Sequence, residues 1–560
     1  MEIEQRERDL TGPGSRKASG RRRSRAARRA LIGVVAGCAV FGGAMVLLPT
    51  VGFTPTPPAP GPVAGAMTAV AAGMPVSLRD LTALVRDREA YLRTHPRDAA
   101  SWAVLGTAYV EQGRRTATPG YFPKAERALR ASLTAGPTGN LAASQGLAAL
   151  ANARGDFRKG RTWGETALKL APKQWTTYPL LIDSFRGLGD YKASRKALEK
   201  LQKLHSGPPV MARAAQVYWD RGWREDAVAA LSDAAAGART PAERAVWLAE
   251  AGRLAWERGD RAESLRSYEG ALRIDRNEPA ALAGRGRALA SLGRVPEALR
   301  AYQAAFAGRP APGYALELGE LYQAQGLDPA ARAQYDLVRA RVRTETAGGV
   351  DDTLVLGLLE ADHGDAAEAV RRLRAEWKRQ PGIGVADALG WALHRAGKNK
   401  EALTFAARAT DKEHGGGVRS ALYVYHRGQI ERGLELTGAA RRHLAESLQI
   451  NPYFSPLLAP LARRTLDTLG EPSTSSTALP SELDEDPAFP EPEVPEPVRT
   501  SPAASAPDDS TAPTASVPAP AGSFEAPAPA ASAPPTFSAG PATGGQRPES
   551  STAPRRTAPH

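Results

Sequence analysis

A glycine recurs at near-constant spacing through the middle of this chain. Gly259, Gly293, Gly326, Gly364 and Gly397 lie 34, 33, 38 and 33 residues apart. Each sits between two runs whose apolar residues recur at helical spacing. A fixed period of about 20–50 residues marks stacked supersecondary units, and it limits the possible folds more tightly than composition does. The stretch "ALAGRGRALASLGRVPEALRAYQ" is one such unit. Leu282, Leu289, Leu292, Leu299 and Tyr302 form its apolar spacing, Gly286 supplies a small residue among them, and Gly293 ends the first helix. Pro296 then falls near the start of the second helix, where proline is tolerated. Its "GRGR" core therefore reads as helix rather than as a phosphate-binding loop.

Other stretches carry the same register. "WAVLGTAY" supplies Trp102, Leu105, Gly106 and Tyr109, and after a seven-residue insertion around "TATPGYFP" come Ala125, Leu129 and Pro137. Leu318, Gly319, Tyr322, Ala331 and Tyr335 repeat the pattern, as do Leu389, Gly390, Leu393 and Ala402. Weaker units anchor on Gly155, Gly189 and Gly222, and a last one ends at "HLAESLQINP" with Leu444, Ser447 and Pro452. These residues resemble the tetratricopeptide repeat (TPR), with its 34-residue period and W-x2-L-G-x2-Y…A-x3-F…P pattern. The resemblance predicts an all-α chain: a TPR α-solenoid, a right-handed superhelix of about ten helix-turn-helix repeats. A leading helix is expected over residues 77–97 and the array over 98–470, closed by a helix in "YFSPLLAPLARRTLDTLG", since terminal repeats need caps. In "YFPKAERALRASL", "GLLEADHGD", "VADALGWALHRAG" and "SLQINPYFSPLLAP" the chain also resembles membrane-anchored or exported actinobacterial TPR proteins. That likeness implies a membrane partner such as a transporter, and no activity.

The two ends differ from the body. Residues 1–30 hold ten Lys/Arg against four Asp/Glu, and the uncharged run "LIGVVAGCAVFGGAMVLLPTV" follows at residues 31–51. A bilayer core takes about 20 apolar residues in a helix. The one-sided arginines then keep the amino end in the cytoplasm and place the body outside. Residues 31–51 are thus expected to be a transmembrane signal anchor. A lipoprotein signal at Cys38 in "VAGC", or cleaved export with Arg28-Arg29 as a partial twin-arginine match and "AVA" at 69–71 as cleavage site, are the alternatives. Residues 52–76 read as a Pro/Ala/Gly-rich linker. Residues 471–560 hold twelve Asp/Glu against four Lys/Arg and are rich in Pro, Ala, Ser and Thr. Such a tail buries too little apolar area to order itself. Cys38 is the sole cysteine, which excludes an intramolecular disulfide and a Cys-based zinc site.

Catalytic motifs are missing: the sequence has no His-Glu-x-x-His, no Gly-x-Ser-x-Gly and no Gly-x4-Gly-Lys-Ser/Thr. "HGGG" at 414–417 reads as a connecting turn, and His363 as a residue suited to the dipole at a helix end. No cofactor and no metal site is expected. In the repeat register the fifth, ninth and twelfth positions face the concave side, giving Arg186, Trp219, Arg253, Trp256, Arg287, Trp391, His394, Tyr425 and Arg432 as candidate partner-binding residues. Trp and Arg are enriched at binding hot spots; the competing reading is that the tryptophans pack between units and the arginines are a solvated face. The expectation is a non-enzymatic, membrane-tethered scaffold, a monomeric array that binds protein or peptide partners, among them membrane or wall-assembly proteins. The alternatives are an accessory subunit of a membrane transporter, or binding of an anionic polymer: wall phosphate polymer, or RNA were the topology inverted. Nucleic acid is otherwise not an expected partner.

Overall fold

The computed structural model describes residues 61–411 and 417–470. The basic segment 1–30, the expected membrane segment 31–51, Cys38, residues 414–416 of "HGGG" and the tail 471–560 lie outside the described residues. None of the described helices is long and apolar enough to cross a membrane.

Two leading helices, α1 (Pro62–Ala71) and α2 (Leu78–Thr94), precede ten helix pairs. Units one to four are α3 (Ala99–Thr116) with α4 (Tyr121–Ala135), α5 (Leu141–Ala153) with α6 (Phe157–Leu170), α7 (Thr177–Gly187) with α8 (Tyr191–Leu204), and α9 (Pro208–Asp220) with α10 (Arg224–Ala236). Units five to seven are α11 (Pro241–Glu257) with α12 (Arg261–Ile274), α13 (Pro279–Ser291) with α14 (Val295–Gly308), and α15 (Pro312–Ala324) with α16 (Asp328–Ala347). Units eight to ten are α17 (Thr353–His363) with α18 (Ala366–Arg379), α19 (Ile383–Arg395) with α20 (Asn399–Thr410), and α21 (Ala421–Arg432) with α22 (Thr437–Ile450). A single helix, α23 (Leu458–Leu469), closes the array. The described residues therefore form an all-α solenoid, as the repeat register predicts.

Local chemistry alternates with the helices. Prolines 208, 241, 279 and 312 open the first helices of units four to seven, where the missing N–H has no intrahelical acceptor to lose. Asp156, Asp190, Asp260 and Asp365 cap second helices, each accepting from backbone N–H groups of the first turn. Between the two helices the chain reverses through a left-handed glycine in seven units, at Gly155, Gly189, Gly222, Gly259, Gly293, Gly326 and Gly397. Unit eight departs: Gly364 has φ −153°, an extended conformation. In unit ten Glu435 takes the left-handed position with φ 60°.

The stack curls until it meets itself, and the meeting has a constant register. The turn of each of the first five units contacts the linker that leads into the element six further on, with added contacts from Arg341 within α16 and from Gln380 in the linker into unit nine. In unit one, Arg309 Nε donates to the Arg114 carbonyl at 3.1 Å and Arg341 to the Ala117 carbonyl at 2.9 Å. In unit two, the Asp351 N–H donates to the Arg154 carbonyl at 2.9 Å, and the Phe157 N–H donates to Gln380 at 2.9 Å. In unit three, the Ile383 N–H donates to the Tyr191 hydroxyl. Unit four brings Gly222 against Gly417, and in unit five Asn451 Nδ2 donates to the Trp256 carbonyl at 2.8 Å. Loop backbone groups that would otherwise need water are thus satisfied by the next turn of the superhelix. A largely buried ion pair, Arg115 with Glu278 at 2.8 Å, joins unit one to unit six.

The sequence predicts a linker over residues 52–76, but Pro62–Ala71 is helical. Ala66 and Val70, four residues apart, bury one face in the cluster that contains Leu81, Leu84 and Leu105. The "AVA" cleavage candidate at 69–71 falls within this helix.

Two glycine substitutions separate turn conformation from turn-to-turn contact. A methyl group at Gly293 meets nothing within 4 Å, whereas at Gly189 it would lie 2.5 Å from the Pro381 carbonyl oxygen. Gly293→Ala should cost only the left-handed conformation, about 1–2 kcal/mol. Gly189→Ala should cost clearly more and also deprotect the Ile383 amide, read by urea denaturation and hydrogen exchange.

Candidate functional site: the concave face

The side chains that face inward are set by a steric lock within each unit. At the eighth repeat position a Cβ has no room: a methyl at Gly252 would lie 2.9 Å from the Tyr268 ring, at Gly286 2.8 Å from Tyr302, and at Gly319 2.5 Å from Tyr335. Leucines fill the same role in other units, Leu129 against Gly106, Leu373 against Gly357 and Leu444 against Gly428. Because the large residue of the second helix occupies the space over the glycine, the first helix has one rotational setting. The ninth position then points into the concavity.

There the charges pair from one unit to the next. Arg287 Nε and Nη2 bind both carboxylate oxygens of Glu317, at 3.0 and 2.7 Å, and the Tyr302 hydroxyl donates to the same carboxylate at 2.9 Å. Arg213 pairs with Asp183 and also donates to Gln216 at 3.0 Å. Arg186 grips Asp220 with two nitrogens, one at 3.0 Å. Unit six has Gly284 where a carboxylate would meet Arg253, and Arg253 turns back to Glu250 at 2.9 Å. Burial works against charge on Glu250, yet Arg253, with Arg186 and Arg213 behind it, holds the carboxyl below its usual range. Burial likewise disfavours the Arg186 charge, and Asp220 more than restores it.

The concavity is not empty of chain. Residues 72–76 leave α1 and cross it: Met74 packs against the cluster containing Trp219, Leu231 and Trp247, and the Val76 carbonyl accepts from Arg115. Adjoining cavities of about 640 and 440 Å³ flank this strap. Both include Ala72–Met74 and the inward Arg213 and Arg253.

The array is an α-solenoid of helix-turn-helix pairs whose register resembles the tetratricopeptide repeat. No family model matches the chain, and no curated protein does. Among solved structures it is similar to a tetratricopeptide repeat protein of Parabacteroides merdae at 17% identity, covering 47% of this chain and 99% of that one, with a TM-score of 0.29. It is similar to the Cut9–Hcn1 hetero-tetramer of the APC/C at 14% identity, covering 73% and 84%, TM-score 0.35. For PilF of Pseudomonas aeruginosa the values are 17%, 37%, 95% and 0.30. Similarity at this level says nothing of activity.

Within this repeat frame, the nine candidate residues divide. Trp219, Trp256, Trp391 and Tyr425 are 6%, 6%, 3% and 2% exposed, so their rings are packing rather than open surface. Trp391 stacks on His426 with centroids 4.2 Å apart and donates its indole N–H to Asp362 at 3.0 Å. Tyr425 packs on Phe454 at 5.4 Å. His394 Nδ1 bonds to Asn399 Oδ1 at 2.7 Å, and burial pushes its pKa down. Arg186, Arg253 and Arg287 belong to the paired ladder, and Arg432 is exposed beside the last turn. His363 ends α17, but it stacks on Tyr335 at 4.1 Å and burial lowers its pKa, so it acts there as a ring rather than as a dipole-matched cation. Sequence reasoning missed the carboxylates Asp183, Asp220, Glu250 and Glu317. Asp183–Arg213 and Arg287–Glu317 are each 30 residues apart, which a search from the ninth position to the sixth position of the next unit would have found.

Trp391→Phe keeps an aromatic ring and removes the indole donor, leaving the half-buried Asp362 with Arg395 at 3.4 Å as its remaining partner among the described residues. The expected loss is about 1–3 kcal/mol by equilibrium denaturation.

Proposed function

We propose that the chain is a non-enzymatic scaffold whose concave face binds an irregular, extended segment of a protein partner. The observation that carries this reading is the strap itself: residues 74–77 carry no helix, yet cross the concavity with Met74 seated against the tryptophan-containing cluster. A partner segment with a large apolar side chain would use the same seat and the flanking cavities. Reading residues 31–51 as an anchor, we place the array at the outer face of the membrane, next to membrane or wall-assembly proteins. The anionic-polymer reading has less support, because the inward arginines Arg186, Arg213, Arg253 and Arg287 each have a carboxylate partner.

A photo-crosslinking residue at Ala212, which lines the groove, should capture a discrete partner in cells, whereas the same residue at exposed Lys196 should not. Met74→Ala should raise the yield by loosening the strap. Equal capture from both positions would contradict the groove, and binding that falls steeply with salt would favour the polymer. A reporter fused after residue 75 should be active outside the cytoplasm; activity inside would overturn the topology.

A further inference from the structure

A third cavity, of about 420 Å³, lies apart from the strap, where the capping segment closes onto units five to seven. Four aromatic side chains contribute to its lining: Trp256 and Tyr302 from the array, both nearly buried, and the more exposed Tyr453 and Phe454 from the segment after α22. At its polar end stand Glu317 and Glu320, neighbours on one face of α15. Glu317 is satisfied by Arg287 and the Tyr302 hydroxyl. Glu320 makes no hydrogen bond or ion pair among the described residues. Its carboxyl lines the cavity, and the residue is partly buried.

An acid so placed lacks a counter-charge. Burial, together with the negative charges of Glu317 and Asp362, pushes its pKa up to about 8, with Arg287 opposing. The nearby cations are committed elsewhere. Arg287 is held by both oxygens of Glu317. Arg463, at the rim, donates to the Pro452 carbonyl and lies over the Tyr453 ring at 5.8 Å, and Arg261 lies over the same ring at 4.3 Å while donating to the Ser291 carbonyl. The Tyr302 and Tyr335 hydroxyls bond to Glu317 and Gln323. Apolar and aromatic side chains beside a carboxyl without a counter-charge suit an organic cation, the carboxylate pairing with its charge and the rings packing on its stem.

We propose that this cavity binds an organic cation, a guanidinium or ammonium on an apolar stem, with Glu320 as its counter-charge and Tyr453 and Phe454 of the capping segment beside the stem. The volume falls in the range of small-ligand sites, about 300–1,000 Å³. The proposal is independent of the groove and of the partner that the groove takes. Binding requires ionised Glu320, so each bound cation displaces a proton, and affinity should rise as pH rises through the raised pKa.

The test is calorimetric titration of the full-length chain in mild detergent with acetyl-arginine-methylamide, agmatine and acetyl-citrulline-methylamide. The arginine compound should bind saturably, at least about tenfold tighter at pH 8.5 than at pH 6 with proton release. The citrulline compound, of the same shape without charge, should bind at least about tenfold more weakly. Agmatine binding as tightly as the capped arginine would point to a free amine, and tighter binding of the capped compound to a peptide side chain; both support the site. Glu320→Gln, checked for an unchanged melting temperature, should abolish the pH dependence and most of the affinity. Should that variant not fold, the pH and citrulline arms on the wild-type chain still decide. No saturable binding at either pH, equal citrulline binding, tighter binding at pH 6, or undiminished binding by a folded Glu320→Gln chain would overturn the proposal.

Discussion

The structure depends on one steric fact: the eighth position of most units has no room for a side chain. With Tyr268, Tyr302 or Tyr335 lying over Gly252, Gly286 or Gly319, the two helices of a unit approach closely and have one rotational setting. Everything inward follows from that setting. The ninth position faces the axis, the sixth position of the next unit comes within reach, and Arg287 finds Glu317 as Arg213 finds Asp183. Had the large residue been smaller, the helices would rock, and the ladder of charges would lose its geometry along with the core.

Repetition turns this local lock into a long-range one. Each unit adds the same small rotation, so the turn of one unit comes to rest on the linker into the element six further on. The contacts there are mostly through backbone, with carbonyls of Arg154 and Trp256 accepting across the seam. Close approach demands residues without a Cβ, which is why Gly189 and Gly222 abut Pro381 and Gly417 while Gly293, beyond the overlap, abuts nothing. A repeat array usually touches only its neighbours; here a second shell of contacts encloses the concavity and holds the strap of residues 72–76 inside it.

The pairs, their boundaries and the small-residue positions were legible because they are periodic, and Gly286 and Pro296 carry their meaning in one unit alone. The candidate site was legible in part. Position within a repeat predicts which side chains point inward, but not what meets them. Whether Trp391 is surface or core depends on Asp362 and His426, 29 and 35 residues away, and those are not pattern positions. Helix α1 escaped because a short Ala/Gly-rich run has weak helical periodicity of its own, and the strap after it because its burial comes from units remote in sequence. The aromatic cavity escaped for a similar reason: Glu320 and Phe454 are 134 residues apart and meet only because the superhelix closes.

Closure across the seam is the central claim, and the Asp351 amide tests it most directly. It lies in the linker into unit eight, before α17, and its N–H has as acceptor the Arg154 carbonyl of unit two, six units earlier. Hydrogen exchange on the full-length chain should show this amide protected to the level of the helices α16 and α17 that flank it. Exchange at the rate of an unprotected loop peptide would mean that the turns do not rest on one another, and would contradict the account.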